Sequence, residues 1–293
     1  MLRCSCCDSA RLISYLLNTI TTDSVERCIN YYMKSLLLTL LWINTAWAAD
    51  ASVFLYNLTQ DRAEYSRNTQ QVRAIASVTK IMTAMVVLDG NPDLRSELRL
   101  SRRVGSNLPQ QSYSRGDLLT AMLVRSDNAA AETLAENYPG GRSAFITDMN
   151  RHARDFDMLD THFEDPTGLG RNNLSTVKDV TTMMAMASDY KFIRDTSTKK
   201  HAEFATQGRN KNKIIRLPNT NQPLLLAYNT IVVSKTGLTN AAGWCVSMVI
   251  EHNLQKYVLV ILGARTRDAR IATAKNIMQD YVDRNIARQV SFL

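Results

Sequence analysis

Ala74-Ile75-Ala76-Ser77-Val78-Thr79-Lys80-Ile81-Met82-Thr83 puts a serine and a lysine three residues apart at the head of a long apolar run. On a helix, positions i and i+3 share a face, so the two side chains can meet. A serine hydroxyl is a weak nucleophile until a base takes its proton. A lysine one turn away serves as that base if its pKa drops from about 10.4 to roughly 7–8, which costs the charged form roughly 4 kcal/mol. Such a drop needs a desolvated pocket with other cations nearby. Ser-x-x-Lys also occurs on ordinary helix surfaces, so its meaning depends on what the rest of the chain supplies.

Outward from that segment, strand signals lie at both ends and helix signals between them. Val53 to Tyr65 reads as a hairpin, with turn residues from Asn57 to Asp61. Ile81, Met82, Met85, Val86 and Leu88 mark a largely buried helix, stopped by Asp89-Gly90-Asn91-Pro92-Asp93. Ser114-Arg115-Gly116-Asp117 resembles a capping box and opens a helix through Leu123. Arg125-Ser126-Asp127-Asn128 interrupts it, and Ala129 to Asn137 resumes it. Tyr138-Pro139-Gly140-Gly141 breaks the helix, Arg142 to Asp155 is helical again, and Glu164 to Gly170 is a loop. Ser175 to Tyr190 is a helix opened by Ser175-Thr176 and Asp179. Thr196 to Gln222 is polar and weakly patterned. Val232 to Gly237 is a short strand, and Trp244 to Glu251 and Tyr257 to Gly263 form a second hairpin. Ile271, Ala274, Ile277, Met278, Tyr281 and Val282 keep helical spacing to the end. The fold class is therefore α+β: an antiparallel sheet flanked by helices, with an inserted all-helical subdomain. A ligand cleft is expected between sheet and insert.

The 293 residues are 45% hydrophobic and 21% charged, with net charge +8. That is an ordinary globular composition, without the dense Lys/Arg run that would suggest a nucleic-acid partner. Met33-Lys34, the apolar run Ser35 to Ile43 and the small-residue site Ala46-Trp47-Ala48 have the layout of a secretory signal peptide. The run is shorter than the about 20 residues of a membrane span. Export is therefore expected, with residues 33–48 as signal peptide, cleavage after Ala48, and 49–293 as the mature domain. Residues 1–32 read as an upstream extension ahead of a true start at Met33. Cys4, Cys6, Cys7 and Cys28 all precede the signal, and the C-x-x-C spacing of Cys4 and Cys7 has no second ligand pair, so no metal site is expected. Cys245 stays alone in the mature chain. His152, His162, His201 and His252 sit in polar or turn contexts and read as surface.

Three short motifs stand in order: Ser77-Val78-Thr79-Lys80, Ser126-Asp127-Asn128 and Lys235-Thr236-Gly237. Ser126 breaks a helical run, so its hydroxyl can project into a cleft and relay a proton. Asn128 offers a carbonyl and an amide that can hold a substrate backbone and Lys80 together. Lys235, on a strand edge, is a fixed cation for a substrate carboxylate and is expected to depress the pKa of Lys80. Gly237 lacks Cβ, so a backbone can come close, and an extended peptide can add to that strand. This triple is the signature of class A β-lactamases and penicillin-binding proteins.

Over about residues 50–285 the chain resembles the low-molecular-mass penicillin-binding proteins, the D-alanyl-D-alanine peptidase family, which have a β-lactamase/transpeptidase-like fold. The stretches Thr83 to Asp89, Tyr138 to Gly141, Pro166-Thr167-Gly168-Leu169 and Leu238 to Gly243 are similar to the endopeptidase branch, of penicillin-binding protein 7 type. The resemblance implies that Ser77 attacks the carbonyl after a D-alanine and forms an acyl-enzyme. Lys80 is then the base and Ser126 the relay to the leaving amine. Lys235 and Thr236 hold a carboxylate, and the N–H groups of Ser77 and Leu238 form the oxyanion hole. It implies peptidoglycan crosslinks as substrate, β-lactams as covalent inhibitors, no cofactor and a periplasmic location.

Carboxypeptidases of the family often carry a second β-rich domain and an amphipathic C-terminal anchor. After Gly237 there is room for the last hairpin and a helix, and that helix is expected to pack on the sheet, leaving no transmembrane anchor. The alternatives are a D-alanyl-D-alanine carboxypeptidase and a non-hydrolysing penicillin-binding sensor or scaffold. A β-lactamase would need a deacylating carboxylate, and no Glu-x-x-Leu-Asn loop is present, although Glu164 lies in a comparable loop.

Overall fold

The structure, a computed structural model, describes residues 51–205 and 213–283. The signal-like segment 33–48, residues 1–32 and their four cysteines lie outside the described residues. In chain order the first elements are β1 (Ser52–Asn57), β2 (Arg62–Arg67), β3 (Arg73–Ala74), a 3-10 turn (Ala76–Thr79) and α1 (Lys80–Asp89). There follow β4 (Glu97–Arg99), β5 (Ser112–Ser114), α2 (Arg115–Val124), α3 (Asn128–Glu136) and α4 (Gly141–Asp155). Then come β6 (Leu174–Ser175), α5 (Val177–Ala187), α6 (Lys191–Ser197), β7 (His201–Ala205), β8 (Ile214–Pro218) and α7 (Gln222–Ala227). β9 (Ile231–Thr239), β10 (Gly243–His252), β11 (Gln255–Ala264), α8 (Arg267–Ile277) and a π turn (Met278–Asp283) close the chain.

Strands from the two ends join in one antiparallel sheet of order β2-β1-β11-β10-β9, as the terminal strand signals imply. The sheet is covered on both faces, which explains why β11 reads as an unbroken apolar run rather than an alternating one. Tyr257, Leu259 and Ile261 point to the layer holding Ala274 and Ile277 of α8 and Leu224 of α7. Val258, Val260 and Leu262 point to the helical layer on the other side. The last helix thus packs on the sheet, and no described helix is long and apolar enough to cross a membrane.

The helical layer is organised around α1, whose residues Lys80 to Val87 are all buried. A helix buried on every side belongs in the middle of a core. Its C-terminal end is tied down by a cluster around His152, a residue expected on the surface. His152 of α4 is buried and lies 2.6 Å from Asp89 Oδ2 through Nε2 and 2.8 Å from the Asp148 carbonyl through Nδ1. Tyr190 donates to Asp89 Oδ1 at 2.7 Å. The apolar neighbours of His152 on α4, Phe145, Met149 and Ala153, mark the buried face that it shares.

The caps form where the motifs put them. Ser114 accepts from the Asp117 N–H at 3.0 Å, and Thr176 from the Asp179 N–H at 3.1 Å. The insert is helical but carries three short ladders, β3–β6, β4–β5 and β7–β8. The last lies inside the weakly patterned stretch, where Ala202 and Phe204 alternate with exposed neighbours. Two buried residues in five are too short a signal to stand out in sequence.

Truncating the sheet centre is expected to be costly: Leu259→Ala should lower unfolding free energy by about 2–5 kcal/mol. Leu254→Ser, at a fully exposed hairpin tip, should stay within about 0.5 kcal/mol. Urea denaturation of both variants checks the pair.

Candidate active site

Ser77 sits in the 3-10 turn that leads into α1, so its side chain and that of Lys80 share one face. The turn is forced close to β9. A Cβ on Gly237 would lie 2.9 Å from the Ile75 carbonyl oxygen and 3.0 Å from Ser77 N. The absent side chain at Gly237 therefore admits the protein's own serine turn, whereas the sequence suggested an approaching substrate. Gly168 also lies against this turn: at φ 75° its Cβ would fall 1.9 Å from the Ala76 carbonyl oxygen. Ala76 itself has φ 48°, a left-handed conformation that costs a residue with a side chain about 1–3 kcal/mol.

The Lys80 side chain is fully buried beneath this turn. Its Nζ lies 3.0 Å from Ser77 Oγ, and it donates to Asn128 Oδ1 at 2.8 Å and to the Thr167 carbonyl at 2.5 Å. A neutral amine has two N–H donors and one lone pair. The two carbonyl-type acceptors take the donors, which leaves the lone pair for the serine hydroxyl proton. Burial lowers the Lys80 pKa to about 7, against the opposing pull of Asp165, Asp127 and Glu132.

The Thr167 carbonyl is held by a loop with its own polar frame. Asn173, fully buried, accepts from the Glu164 and Asp165 N–H groups and donates to Thr79 Oγ1 and the Asp165 carbonyl. Burial would raise the Asp165 pKa, but hydrogen bonds from Thr167, Gly168 and Gly170 outweigh it and lower the pKa. Thr83 on α1 donates to the Pro166 carbonyl at 2.7 Å. The loop therefore presents a fixed acceptor to Lys80.

Ser126 breaks the α2–α3 run in a left-handed conformation, φ 64°. Asp127 makes the break stable: it caps α3 at the Ala130 N–H and accepts from Ser106 Oγ and the Asn107 N–H. Ser126 thereby faces β9, where buried Lys235 donates to its Oγ at 2.9 Å and to the Thr236 carbonyl at 3.0 Å. Thr236 Oγ1 donates to Thr220 Oγ1 at 2.7 Å. The repulsion expected between the two lysines falls on Lys235. Burial first, then Lys80 and Arg270, push its pKa well below the ordinary lysine value. Lys80, by contrast, owes its depression to burial alone.

Ser77, Ser126, Asn128, Thr236, Gly237 and Leu238 line one cleft of about 590 Å³, with Lys80 and Lys235 beneath its floor. All eight residues singled out by sequence are thus brought together. Sequence reasoning missed Arg270, which lines the same cleft although its side chain is almost fully buried. Its Nη1 donates to the Cys245 carbonyl, its guanidinium lies 5.6 Å from the Trp244 ring centroid, and its Nε has no partner among the described residues. Burial lowers its pKa to about 10. A signal existed: Arg270 is four residues before Ala274 and seven before Ile277, on the buried stripe of α8. Among the described residues no carboxylate lines the cleft, and Glu164 is exposed outside it.

The family of D-alanyl-D-alanine carboxypeptidases, peptidase family S11, matches residues 44–266. The chain belongs to that family. It is 35% identical to a D-alanyl-D-alanine endopeptidase of Escherichia coli K12 over 237 residues, covering 78% of this chain and 76% of the relative. It is 36% identical to a D-alanyl-D-alanine endopeptidase of Pseudomonas aeruginosa over 242 residues, with the same shares. Among solved structures, penicillin-binding protein D2 of Listeria monocytogenes in its ampicillin-bound form superposes with TM-score 0.70 at 29% identity, covering 78% of this chain and 95% of that one. The fold is therefore that of the D-alanyl-D-alanine peptidase family, and the chain is a hydrolase of the serine peptidase type.

Carbon-13 NMR of lysine-labelled protein should show an ε-carbon titrating near pH 7. Loss of that resonance in Lys80→Met would assign it, and its persistence would assign it elsewhere.

Proposed function

We propose that the protein is a periplasmic serine D-alanyl-D-alanine endopeptidase that opens the peptide crosslinks of peptidoglycan. It is made with a signal peptide at 33–48, cleaved after Ala48. The mature enzyme is 49–293, and residues 1–32 lie upstream of the start. The observation that carries the reading is Lys80: buried, held by two carbonyl oxygens, and 3.0 Å from the Ser77 hydroxyl.

The reaction follows from those contacts. Lys80 takes the Ser77 proton as Oγ bonds to the D-alanyl carbonyl carbon. Negative charge moves to the carbonyl oxygen, where the N–H groups of Ser77 and Leu238 receive it. One such donor is worth about 2.7–4 kcal/mol in the transition state. The C–N bond then breaks as Ser126, bridged to Lys235, passes its proton to the leaving amine and regains one from the Lys80 ammonium, which returns Lys80 to the neutral form. Lys235, Thr236 and Arg270 hold the carboxylate beside that amine, and an extended substrate adds to the edge strand β9. Asn128 steadies its backbone. Water then attacks the ester, and Lys80, neutral again, takes its proton and returns it to Ser77 Oγ as the ester bond breaks; among the described residues no carboxylate lines the cleft to activate the water. A β-lactam places its own carbonyl and carboxylate on the same groups and acylates Ser77.

Endopeptidase is favoured over carboxypeptidase by the relatives, because the two at 35–36% identity both carry the endopeptidase name. Carboxypeptidase is kept as the second reading because the family itself is named for that activity. Digestion of crosslinked muropeptide dimers and of monomeric pentapeptide, followed by mass analysis, separates them. Conversion of dimers to monomers with pentapeptide intact supports the endopeptidase. Loss of one alanine from the pentapeptide with dimers untouched makes it a carboxypeptidase, and no change in either, with penicillin still bound, makes it a sensor or scaffold.

Ser77→Ala should abolish both hydrolysis and penicillin labelling. Lys80→Ala should slow acylation by about 10²–10⁴-fold with the fold retained, and wild-type labelling in it would remove Lys80 as base. The base acts only when neutral, so acylation should fall about tenfold per pH unit below pH 7 and level off above it.

A further inference from the structure

The cleft carries more positive charge than the reaction above consumes. One carboxylate, beside the scissile amide, is served by Lys235, Thr236 and Arg270. Two further arginines line the same cleft, Arg267 on the sheet side and Arg125 on the helical side. Arg267 is exposed, and its side chain has no hydrogen bond or ion pair among the described residues. The Arg125 side chain makes one hydrogen bond among the described residues, to Asn107 Oδ1 at 3.4 Å, and no ion pair. Other arginines of the chain do find carboxylates: Arg62 pairs with Glu64, Arg142 with Glu132 and Arg151 with Asp148.

The position of Arg267 is electrostatically poor by itself. It is the first residue of α8, where the helix dipole disfavours a cation. It lies one turn from Arg270 on the same face, close enough that the two charges repel and Arg267 helps lower the Arg270 pKa. Asp268, in the same turn, forms no ion pair with it. Arg125 caps the end of α2, where a cation is favourable, but its side chain is turned to the cleft. An anionic ligand would relieve these repulsions together, and the Nε of Arg270, which lines the same cleft, is buried and has no partner among the described residues.

Both arginines lie where the leaving group departs. Arg125 directly precedes Ser126, the relay to the leaving amine. Arg267 stands one turn beyond Arg270, which holds the leaving centre's carboxylate. We infer that Arg267 and Arg125 bind a second carboxylate, further along the peptide strand that leaves with the amine. The inference rests on the endopeptidase reading and extends it. A single D-alanine leaving group has one carboxylate and cannot reach both sites, whereas the peptide strand released from a crosslink carries more than one. The pair would therefore select crosslinked peptide over a terminal D-alanine.

The test compares Arg267→Ala, Arg125→Ala and the double variant with wild type in the full mature chain. Two substrates are used: a crosslinked dimer, and the same dimer with the distal carboxylates of the leaving strand amidated. Penicillin acylation of Ser77 reports the integrity of the site. A charge-assisted hydrogen bond corresponds to about 10- to 100-fold. The ratio of dimer kcat/KM to acylation rate should fall by that factor in each single variant, and Arg267→Lys should recover part of it. Wild type should discriminate against the amidated dimer by a similar factor, and the double variant should not. The inference is overturned if wild type cleaves both dimers equally, or if dimer cleavage and acylation fall in parallel. If wild type cleaves neither dimer yet is acylated by penicillin, the endopeptidase reading has failed and the second-carboxylate site falls with it.

Discussion

The site depends on keeping one amine dry. Lys80 is fully buried in the central helix, and burial holds its pKa at about 7. Desolvation alone would leave a buried amine with unmet hydrogen bonds, which is expensive. The protein meets that need with Asn128 Oδ1 and the Thr167 carbonyl, both acceptors. An acceptor pair suits the neutral amine because it leaves the lone pair aimed at Ser77. Carboxylates close by would reverse the effect, and the three that pull the other way have other partners. Asp165 is taken up by its loop, Asp127 by the α3 cap and Glu132 by Arg142.

Much of the scaffold can be seen as devices for holding those acceptors. Gly168 and Gly237 both lie against the serine turn because neither brings a Cβ. Ala76 and Ser126 accept left-handed backbone conformations, and both lie in the cleft wall or next to it. Strain of this kind persists only where the surroundings over-determine it. Asn173 and Asp127 supply that determination, each buried and each with several hydrogen bonds. Neither residue touches the cleft, yet both set the position of a group that does.

The sheet, its terminal strands, the helix breaks at Ser126 and Gly140 and the eight site residues were legible in the sequence because each rests on a local pattern. The turn residues from Asn57 to Asp61 marked the hairpin of β1 and β2. The apolar run marked β11, and its burial on both faces accounts for the loss of alternation there. The three motifs specified side chains whose chemistry is informative by itself. What stayed hidden was carried by backbone atoms or by pairs distant in sequence. The Thr167 carbonyl is an acceptor that any residue could provide, so no side chain advertises it. Asn173 reads as a loop asparagine until its partners from Thr79 to Glu164 are in place. His152 looked polar in its own helix and was buried by Asp89, 63 residues away. Arg270 lay on an apolar stripe, where an arginine reads as an interruption rather than a site.

The arginine is the most informative of these because it reverses the usual logic of a core. Lys80, Lys235 and Arg270 are all buried near one cleft, and among the described residues no carboxylate lines it. Buried like charges without counterions destabilise a fold. Two things keep the cost down. Burial favours the neutral form of both lysines, and Arg270 leans on the Trp244 ring and the Cys245 carbonyl. The remaining deficit is an attraction for anions. An anion in the cleft would favour the charged form of Lys235 by Coulomb attraction, whereas the lowering of the Lys80 pKa comes from burial. The two lysines of the same cleft thus differ in their surroundings. Lys80 faces two carbonyl oxygens and the Ser77 hydroxyl, whereas Lys235 faces the Ser126 hydroxyl and the Thr236 carbonyl, the difference on which the proposed division between base and carboxylate binder rests.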